Sequence, residues 1–319
     1  MGFIEELYLI TNHEELEKYM SVKEVGTIYH YTDVSGLKGI LDEGNFRVSH
    51  SYFMNDKSEI MYTIDVVKTV LSELIVEETD DKVRELYDLL SKYAETYIKK
   101  EKGEAGIKLR SAEYRASEYI LSFSLNGDSL NVWSSFTEGS GYNIGLDYKR
   151  FQQLLIDKSK RMSISSCVIY DVDKQHLIIK GKIQQYRNLV VRYKSDPFLN
   201  LEKVAERFFV SLRLFACFFK NPAFACDEEF RIVFFNYPKI IDSYIKPMYR
   251  AKNNLLIPYI NILVNDNNHK ISRLPVMSIR IGPTNFIDIA KEGISYYLYD
   301  FGYDFESIQV FNSKVPLRY

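Results

Sequence analysis

Cysteine is scarce in this sequence, and its few cysteines are not spaced for a metal or for disulfide bonds. The 319 residues contain three of them, Cys167, Cys217 and Cys226. Their number is odd, and none belongs to a C-x-x-C pair or to a Cys/His pattern with zinc-ligand spacing. Because the five histidines are also scattered, we expect reduced, mostly buried thiols and no metal site.

Long apolar runs are missing as well. No segment approaches the roughly 20 consecutive apolar residues that a bilayer-spanning helix needs. The opening sequence, MGFIEELYLITNHEELEKYM, has acidic residues where a secretory signal carries basic ones, and it lacks a continuous apolar stretch and a cleavage site. We therefore expect a cytoplasmic protein that does not enter a membrane.

Neither sign of charge dominates the composition. The 41 Lys and Arg residues and the 43 Asp and Glu residues leave a formal net charge of -2. The overall charge therefore does not attract the chain to nucleic acid or anionic lipid. A local basic patch remains an alternative. The sequence also lacks a phosphate loop, a dinucleotide fingerprint, a G-x-S-x-G elbow and an H-E-x-x-H motif.

Aromatic residues, in contrast, are abundant, with 25 Tyr and 20 Phe. Hydrophobic residues make up 46% of the chain and charged residues 26%, which is typical of a globular protein that buries enough apolar surface to offset its chain entropy. Most of the rings are expected in the core. Tyrosine also combines a large apolar body with a hydroxyl group, so some of these rings can line a polar cleft.

The first elements are predicted from caps and local residue preferences. A short helix is expected over 12–20, and the stretch 27–31 is rich in strand formers. Asp33 is a suitable N-cap for a helix over 34–43, and Gly44 can end that helix in the left-handed conformation. The chain therefore begins with strands and helices in alternation.

The whole pattern predicts one α+β domain over 1–319 with a mixed, mostly antiparallel sheet. We expect a helical insertion at about 57–117 and a C-terminal extension of strands and helix at about 240–319. Further strands are predicted at 119–125, 142–146, 166–170, 230–235, 255–264, 276–281 and 307–311. Further helices are predicted at 148–156, 199–218 and 286–298.

The segment IYHYTD places His30, Tyr31 and Thr32 where a predicted strand ends and a capped helix begins. Backbone N–H groups and the positive end of the helix dipole face outward at such a junction, which favours anionic ligands. His30 can donate a hydrogen bond to a ligand, or act as an acid or base near neutral pH. A structural histidine with a satisfied ring is the alternative interpretation.

The segment SHSYFMNDKSE concentrates polar residues in one loop near His30. Tyr52 can stack on a flat ring. Asn55 and Asp56 suit either a ligand site or an ordinary turn, and Glu59 suits the first turn of the next helix.

The segment LSFSLNGDSLNVWSSF contains Ser122 and the single tryptophan, Trp133. Such a large ring is costly to leave in a polar loop. Trp133 is therefore expected either to anchor the loop to the core or to form one wall of a pocket.

The segment FKNPAFACDEEFRIVF leads into a strand on which Glu229 and Arg231 share a face, because alternate side chains of a strand point the same way. A carboxylate beside a guanidinium stays ionised, which suits a group that stabilises developing positive charge. The alternative is an ordinary ion pair with no function beyond stability.

These four segments, taken in order, resemble the successive motifs of the bacterial domain-of-unknown-function family 2971. They run from residue 28 to about residue 235. A later stretch, VMSIRIGP, is similar to that family as well.

A second resemblance concerns mechanism. A histidine on an early strand, a tyrosine on a following segment and a late strand-borne glutamate resemble the His-Tyr-Glu signature of ADP-ribosyltransferases. This resemblance implies an ADP-ribosyltransferase-like fold with His30, Tyr52 and Glu229 as catalytic residues. In that case His30 holds the ribose and carboxamide of NAD, Tyr52 stacks on nicotinamide, and Glu229 stabilises the oxocarbenium-like transition state.

The leading functional hypothesis is therefore an enzyme that uses NAD as a substrate, either an ADP-ribosyltransferase or an NAD glycohydrolase. It implies a protein or nucleic-acid acceptor and a role as a bacterial defence or toxin effector. Its binding residues are expected to be Tyr31, Thr32, Asn55, Asp56, Glu59, Ser122, Trp133 and Arg231. A non-catalytic nucleotide-binding or partner-binding module is the alternative, and a metal-dependent nuclease with Asp56, Glu59, Glu228 and Glu229 as ligands is a second alternative.

Overall fold

The structure is a computed structural model with side chains. It describes residues 2–11, 25–53, 58–101, 118–137, 140–158, 163–236, 246–252, 254–263, 273–284, 286–304 and 306–316. The predicted helix over 12–20 lies outside the described residues.

Helices and strands are mixed along the chain. The helices are α1 (Phe3–Thr11), α2 (Val34–Glu43), α3 (Ser58–Glu77), α4 (Asp81–Glu101), α5 (Leu130–Phe136), α6 (Tyr148–Lys158), α7 (Val172–Arg192), α8 (Leu201–Ala216) and α9 (Ile287–Asp300). The strands are β1 (Thr27–Thr32), β2 (Arg47–His50), β3 (Glu118–Ser124), β4 (Tyr142–Asp147), β5 (Ser163–Cys167), β6 (Glu229–Phe235), β7 (Met248–Lys252), β8 (Leu255–Asn261), β9 (Val276–Ile281) and β10 (Gln309–Asn312). Short 3-10 helices cover Ser51–Phe53 and Pro222–Asp227.

The chain forms two compact units. The helical unit comprises Met1–Ser21, Asn55–Arg115 and Val168–Phe224 and contains α1, α3, α4, α7 and α8. The sheet unit comprises Val22–Met54, Ala116–Cys167 and Ala225–Tyr319 and contains the strands together with α2, α5, α6 and α9. Whether one domain spans 1–319 stays a prediction, because compactness alone does not show which parts fold independently.

The helical unit is held together by regularly spaced apolar residues. In α8, the buried residues Val204, Phe208, Leu212 and Phe215 recur at spacings of four and three and form one apolar face. The α8 helix packs against α1, α4 and α7. Each such side chain contributes about 1.5–3 kcal/mol on burial, so this face accounts for the stable packing of α8.

The strands form a ten-stranded sheet in the order β10-β9-β4-β1-β3-β2-β8-β7, while β6 pairs with β3 and β5 pairs with β6. The pairs are antiparallel except for β9 with β10, which is parallel. The predicted α+β class with a mostly antiparallel sheet is therefore confirmed. No described helix is long and apolar enough to span a membrane.

One face of the sheet forms the main core. Its buried residues include Ile28, Phe123, Ile144, Phe230 and Ile279, which come from five different strands. The register pairs Phe123 with Phe230 and Ile144 with Ile279. Paired residues on neighbouring strands point to the same side of a sheet, so the apolar face is continuous across these strands.

The α2 helix follows the local signals in its sequence. The Asp33 side chain accepts a 2.6 Å hydrogen bond from the backbone N–H of Gly36, and Gly44 has a φ of 57°. Asp33 is therefore the N-cap and Gly44 provides the left-handed turn that ends the helix. Both predicted caps are confirmed, and they fix the direction in which the chain leaves β1.

The three cysteines are free thiols. Cys217 is buried, Cys167 is half-buried and Cys226 is exposed. The prediction of mostly buried thiols therefore holds fully for Cys217 alone.

Candidate functional site

The sheet face opposite the apolar core carries a row of polar side chains, which we call the polar face. The residues of this row lie on six strands and are Arg280, Asn143, Tyr31, Ser122, Arg231 and Ser166. Four of their cross-strand pairs are given directly by the register. The pairing of Tyr29 with Ser124 places Tyr31 and Ser122 on this same face, because side chains alternate along each strand.

The centre of the polar face is a buried ion pair. Arg231 Nη2 lies 2.6 Å from Glu229 Oε2, and the side chains of Arg231 and Glu229 are only 1% and 7% exposed. Removing two charges from water is costly unless they are paired and hydrogen-bonded. The two residues are thus placed as the sequence predicted, on one face of one strand and in contact with each other.

Ser122 lies beside this ion pair, since β3 pairs Ser122 with Arg231 and Ser124 with Glu229. The Ser122 hydroxyl is buried and has no hydrogen-bond partner among the described residues. Buried polar groups are nearly always hydrogen-bonded, so each exception calls for an explanation such as a bound ligand or water.

His30 occupies the place where β3 changes partners. One edge of β3 pairs with β1 at Ser124 and with β2 at Tyr119 and Ile120. Between these points, the carbonyl oxygen of Ser122 lies 3.1 Å from His30 Nδ1. A carbonyl can only accept, so Nδ1 carries the proton and His30 replaces a missing backbone donor at this gap.

The His30 ring is neutral near physiological pH. Its pKa is lowered to about 4, mainly because the ring is buried and to a smaller extent because Arg250 is nearby, and the hydrogen bond to Ser122 opposes this lowering only in part. The ring makes edge contacts with Phe46 and Phe123 at centroid distances of 5.1 and 5.7 Å. These contacts place it among residues of the apolar core.

His30 and Glu229 consequently lie on opposite faces of the sheet. Tyr29 and Tyr31 share the polar face with Ser124 and Glu229, and His30 lies between these two tyrosines on β1. The common cleft that the sequence led us to expect is therefore not formed by these two side chains. The structure instead brings Ser122 beside the Glu229–Arg231 pair.

Tyr31 and Trp133 form a second cluster on the polar face. Their rings meet edge to face at 4.6 Å, and Trp133 is fully buried. The Tyr31 hydroxyl donates to the carbonyl of Asn126 at 2.8 Å and accepts from the N–H of Ser129 at 2.9 Å. Burial raises the pKa of Tyr31 to about 12, so this phenol is a fixed hydrogen-bonding group. Of the two roles predicted for Trp133, the structure shows the loop anchor.

Asp128 holds the loop between β3 and α5 in place. It accepts hydrogen bonds from Trp133 Nε1 at 2.9 Å, from the Ser313 hydroxyl at 2.6 Å and from the Lys314 N–H at 2.8 Å, and it lies 3.5 Å from Arg280 Nη1. Burial tends to raise its pKa, but the hydrogen bonds and the Arg280 charge together lower the pKa below its usual value. Asp128 therefore carries its charge while tying the C-terminal segment to α5.

The chain is strained where it enters β6. Glu228 has a φ of 46°, a left-handed conformation that is uncommon outside glycine. Its carboxylate accepts a 3.0 Å hydrogen bond from Asn126 Nδ2, and its carbonyl accepts one from the N–H of Leu125 at 2.8 Å. The exposed Glu228 thus joins the loop after β3 to the start of β6.

Two aromatic rings of the polar face lie directly on glycines. A Cβ atom at Gly127 would come within 2.8 Å of Tyr29 Cε1, and one at Gly145 would also press on the Tyr29 ring. A Cβ atom at Gly282 would lie 3.0 Å from Trp133 Cζ3. These positions require glycine because the rings occupy the space of a side chain.

The remaining predicted residues are Thr32, Tyr52, Asn55, Asp56 and Glu59. Thr32 ends β1 and pairs with Tyr142. Tyr52 lies in the 3-10 helix Ser51–Phe53, with its side chain outside the described part, and Asn55 and Asp56 also lie outside the described residues. Glu59 is buried in the first turn of α3 and belongs to the helical unit.

A metal site has no assembled ligand set in the described part of the chain, where no group of three or more His, Cys, Asp or Glu side chains could hold an ion. Of the residues considered as nuclease ligands, Glu59 belongs to the helical unit, whereas Glu228 and Glu229 belong to the sheet unit. The polar face instead offers hydroxyls, carboxylates and guanidinium groups, which suit a polar organic ligand.

Sequence reasoning missed several residues of this region. Asp128 follows an Asn-Gly pair and resembles an ordinary turn residue. Ser49 and Arg250 also lie at the polar face, where Arg250 Nη2 donates to the Ser49 hydroxyl at 2.7 Å. An arginine within the stretch MYRAK, with alternate positions on one face of a strand, is the signal that could have identified Arg250.

Comparison with known proteins gives a partial match. Residues 132–232 match the model of a family described as "Protein of unknown function (DUF2971)". The matched range includes Trp133, Glu229 and Arg231 but not His30. No curated protein and no solved structure matches the chain. The resemblance to domain-of-unknown-function family 2971 is therefore confirmed over residues 132–232.

Proposed function

We propose that the sheet unit binds NAD on its polar face and cleaves the bond between nicotinamide and ribose, as an ADP-ribosyltransferase or NAD glycohydrolase. The observation that carries the proposal is the buried Glu229–Arg231 pair next to the Ser122 hydroxyl, which has no partner among the described residues. A buried hydroxyl without a partner next to a fixed carboxylate is typical of a ligand site.

The chemistry follows from the position of Glu229. Cleavage leaves positive charge on the ribose ring while nicotinamide departs with the bonding electrons, and water or an acceptor then bonds to the same carbon. A carboxylate that is already oriented stabilises this charge without reorganisation. Arg231 positions that carboxylate through the 2.6 Å contact, and the Ser122 hydroxyl is available to bind a ribose hydroxyl.

His30 has a positioning role in this proposal and does not act as an acid or base. Its Nδ1–H group is committed to the Ser122 carbonyl, and its pKa of about 4 keeps the ring neutral. It therefore fixes the backbone of Ser122, whose side chain faces the polar face. This assignment differs from the direct contact with NAD that the His-Tyr-Glu resemblance implied.

The experiment measures binding and turnover separately. Calorimetric titration with NAD tests binding by the full chain, and release of nicotinamide tests cleavage. We expect wild type to bind and to release nicotinamide, and Glu229→Gln to bind with similar affinity while losing at least about a hundredfold in rate, as expected for a group acting on the transition state.

The matched control is Glu118→Gln. Glu118 is a buried glutamate on β3. It pairs with Phe235, at the opposite end of the β3–β6 pairing from Glu229. This substitution should leave NAD cleavage unchanged. Binding without cleavage by wild type overturns the enzymatic part and leaves a nucleotide-binding module, whose melting temperature rises with NAD by mass action. Absence of any NAD binding overturns the whole proposal.

A further inference from the structure

Arg250 is an arginine whose charge is not balanced within the described part of the chain. Its Nη2 donates to the Ser49 hydroxyl at 2.7 Å, but it forms no salt bridge there, and its buried Nε–H has no hydrogen-bond acceptor. Arg47, Arg187 and Arg280, in contrast, each contact a carboxylate. Among the described residues, Arg250 therefore has no paired carboxylate, unlike these three arginines.

The surroundings of Arg250 disfavour its charge. The side chain is half-buried, and burial lowers its pKa, with a further lowering from the nearby Arg47. Tyr259 and Asp33 act in the opposite direction but only as smaller effects. A partly buried guanidinium without a paired anion is unfavourable, and a bound anion removes that cost.

Ser49 completes the site. A serine hydroxyl has one proton and two acceptor positions, so after accepting from Arg250 it can still donate to an oxyanion. The Nε–H and the second terminal nitrogen of Arg250 offer further donors in a planar fork, which matches phosphate geometry. Together these groups can bind two oxygens of one phosphate.

The register connects this pair to the polar face. Ser49 on β2 lies opposite Ile120 on β3, and Ser122 follows two residues later on the same side of β3. At a rise of about 3.3 Å per residue, Ser49 is therefore set about 7 Å along the strand from Ser122. A ligand with a sugar near Ser122 and a phosphate farther along β3 can reach both.

We propose that Arg250 and Ser49 form a phosphate site that binds the diphosphate of a nucleotide whose ribose lies at Ser122. The identity of that nucleotide as NAD rests on the proposed function, whereas the anion site itself does not. The ligand that this site recognises is a phosphate or a diphosphate, as a monoanion or a dianion. The guanidinium group of Arg250 and the hydroxyl of Ser49 donate the hydrogen bonds to it.

The test uses the full chain and three probes: inorganic pyrophosphate, ADP-ribose and nicotinamide riboside. We expect pyrophosphate and ADP-ribose to bind wild type, and Arg250→Met to weaken both by at least about tenfold, the effect of losing one charge-assisted interaction. Nicotinamide riboside lacks the diphosphate, so its binding should not change. Arg150→Met, at an exposed arginine of the same unit, is the matched control.

The melting temperature separates a ligand site from a structural role. Arg250→Met removes an unbalanced charge while retaining the length of the side chain, so without ligand it should melt at or above the wild-type temperature. With pyrophosphate, wild type should instead melt at the higher temperature, because wild type gains stability from binding the anion. A large loss of stability in Arg250→Met without ligand contradicts the proposal.

Two further results decide the remaining cases. If Arg250→Met does not fold, Arg250→Lys replaces it, and it should bind pyrophosphate more weakly than wild type because lysine lacks the fork. Arg250-dependent binding of pyrophosphate without any binding of NAD supports the anion site and refutes the proposed function. Binding of NAD that is insensitive to both variants refutes the anion site and leaves the proposed function in place.

Discussion

Replacement of Asp128 by alanine should destabilise the sheet unit strongly, because one carboxylate serves several donors. The substitution leaves the buried indole N–H of Trp133 without its acceptor, which costs about 1–3 kcal/mol. Ser313 and Lys314 lie nearer to solvent, and the loss of each of their hydrogen bonds to Asp128 lowers the free energy of unfolding by about 0.5–1 kcal/mol. The 3.5 Å pair with Arg280 adds about 0–1 kcal/mol. The expected total is about 4 kcal/mol.

Urea denaturation followed by tryptophan fluorescence measures this effect, since Trp133 is the single tryptophan of the chain and reports on its own loop. The matched control is Asp157→Ala, because Asp157 is exposed and accepts from Gln153 within one helix. That control should change the free energy of unfolding by less than about 0.5 kcal/mol. A loss below about 1 kcal/mol in Asp128→Ala refutes the reasoning.

The dependence on pH gives an independent check of the same contact. The pKa of Asp128 is lowered in the folded protein, so its contribution to stability is fully present above the ordinary aspartate pKa of about 3.9 and is lost as the pH falls below it. The difference in unfolding free energy between wild type and Asp128→Ala should therefore shrink on acidification. An unchanged difference contradicts an ionised, hydrogen-bonded Asp128.

Three further predictions concern other parts of the molecule. An NMR titration of His30 should give a pKa of about 4. The neutral ring therefore stabilises the folded state fully above the ordinary histidine pKa of about 6.5, and this stabilisation is lost as the pH falls towards 4. A measured pKa near 6.5 contradicts the burial of the ring. Gly127→Ala should lower the free energy of unfolding by about 1–3 kcal/mol because its Cβ meets the Tyr29 ring. Gly293→Ala, which points into open space on a helix, should raise it by up to about 1 kcal/mol. Glu78→Gln should weaken the helical unit by about 2 kcal/mol in urea denaturation, since Glu78 is buried and accepts two hydrogen bonds from one guanidinium.

Local signals in the sequence predicted the elements whose ends are determined by the chain itself. The α2 helix begins after Asp33 and ends at Gly44 as expected, because a side-chain cap and a left-handed glycine act within a few residues. The α7 helix was not predicted. Its adjacent apolar pairs, such as Ile178 with Ile179, and its internal glycine resemble a strand followed by a turn, and only packing against other helices decides between the two.

The candidate site was predictable in its residues but not in its geometry. The sharing of one strand face by Glu229 and Arg231 follows from the alternation of side chains, and their contact confirms it. The position of His30 depends on the point where β3 exchanges β1 for β2 as its partner. Such an exchange joins segments far apart in the sequence, so no local pattern indicates it.

The glycines beneath Tyr29 and Trp133 have a consequence for how this surface can vary. Each ring occupies volume that a methyl group at the facing glycine would need, so neither partner can change size alone without overpacking or leaving a void. A substitution at the ring position should therefore be accompanied by a compensating substitution at its facing glycine, and the reverse. Tyr29→Ala should rescue part of the stability lost in Gly127→Ala, and that non-additivity would identify the ring and its glycine as a single packing element.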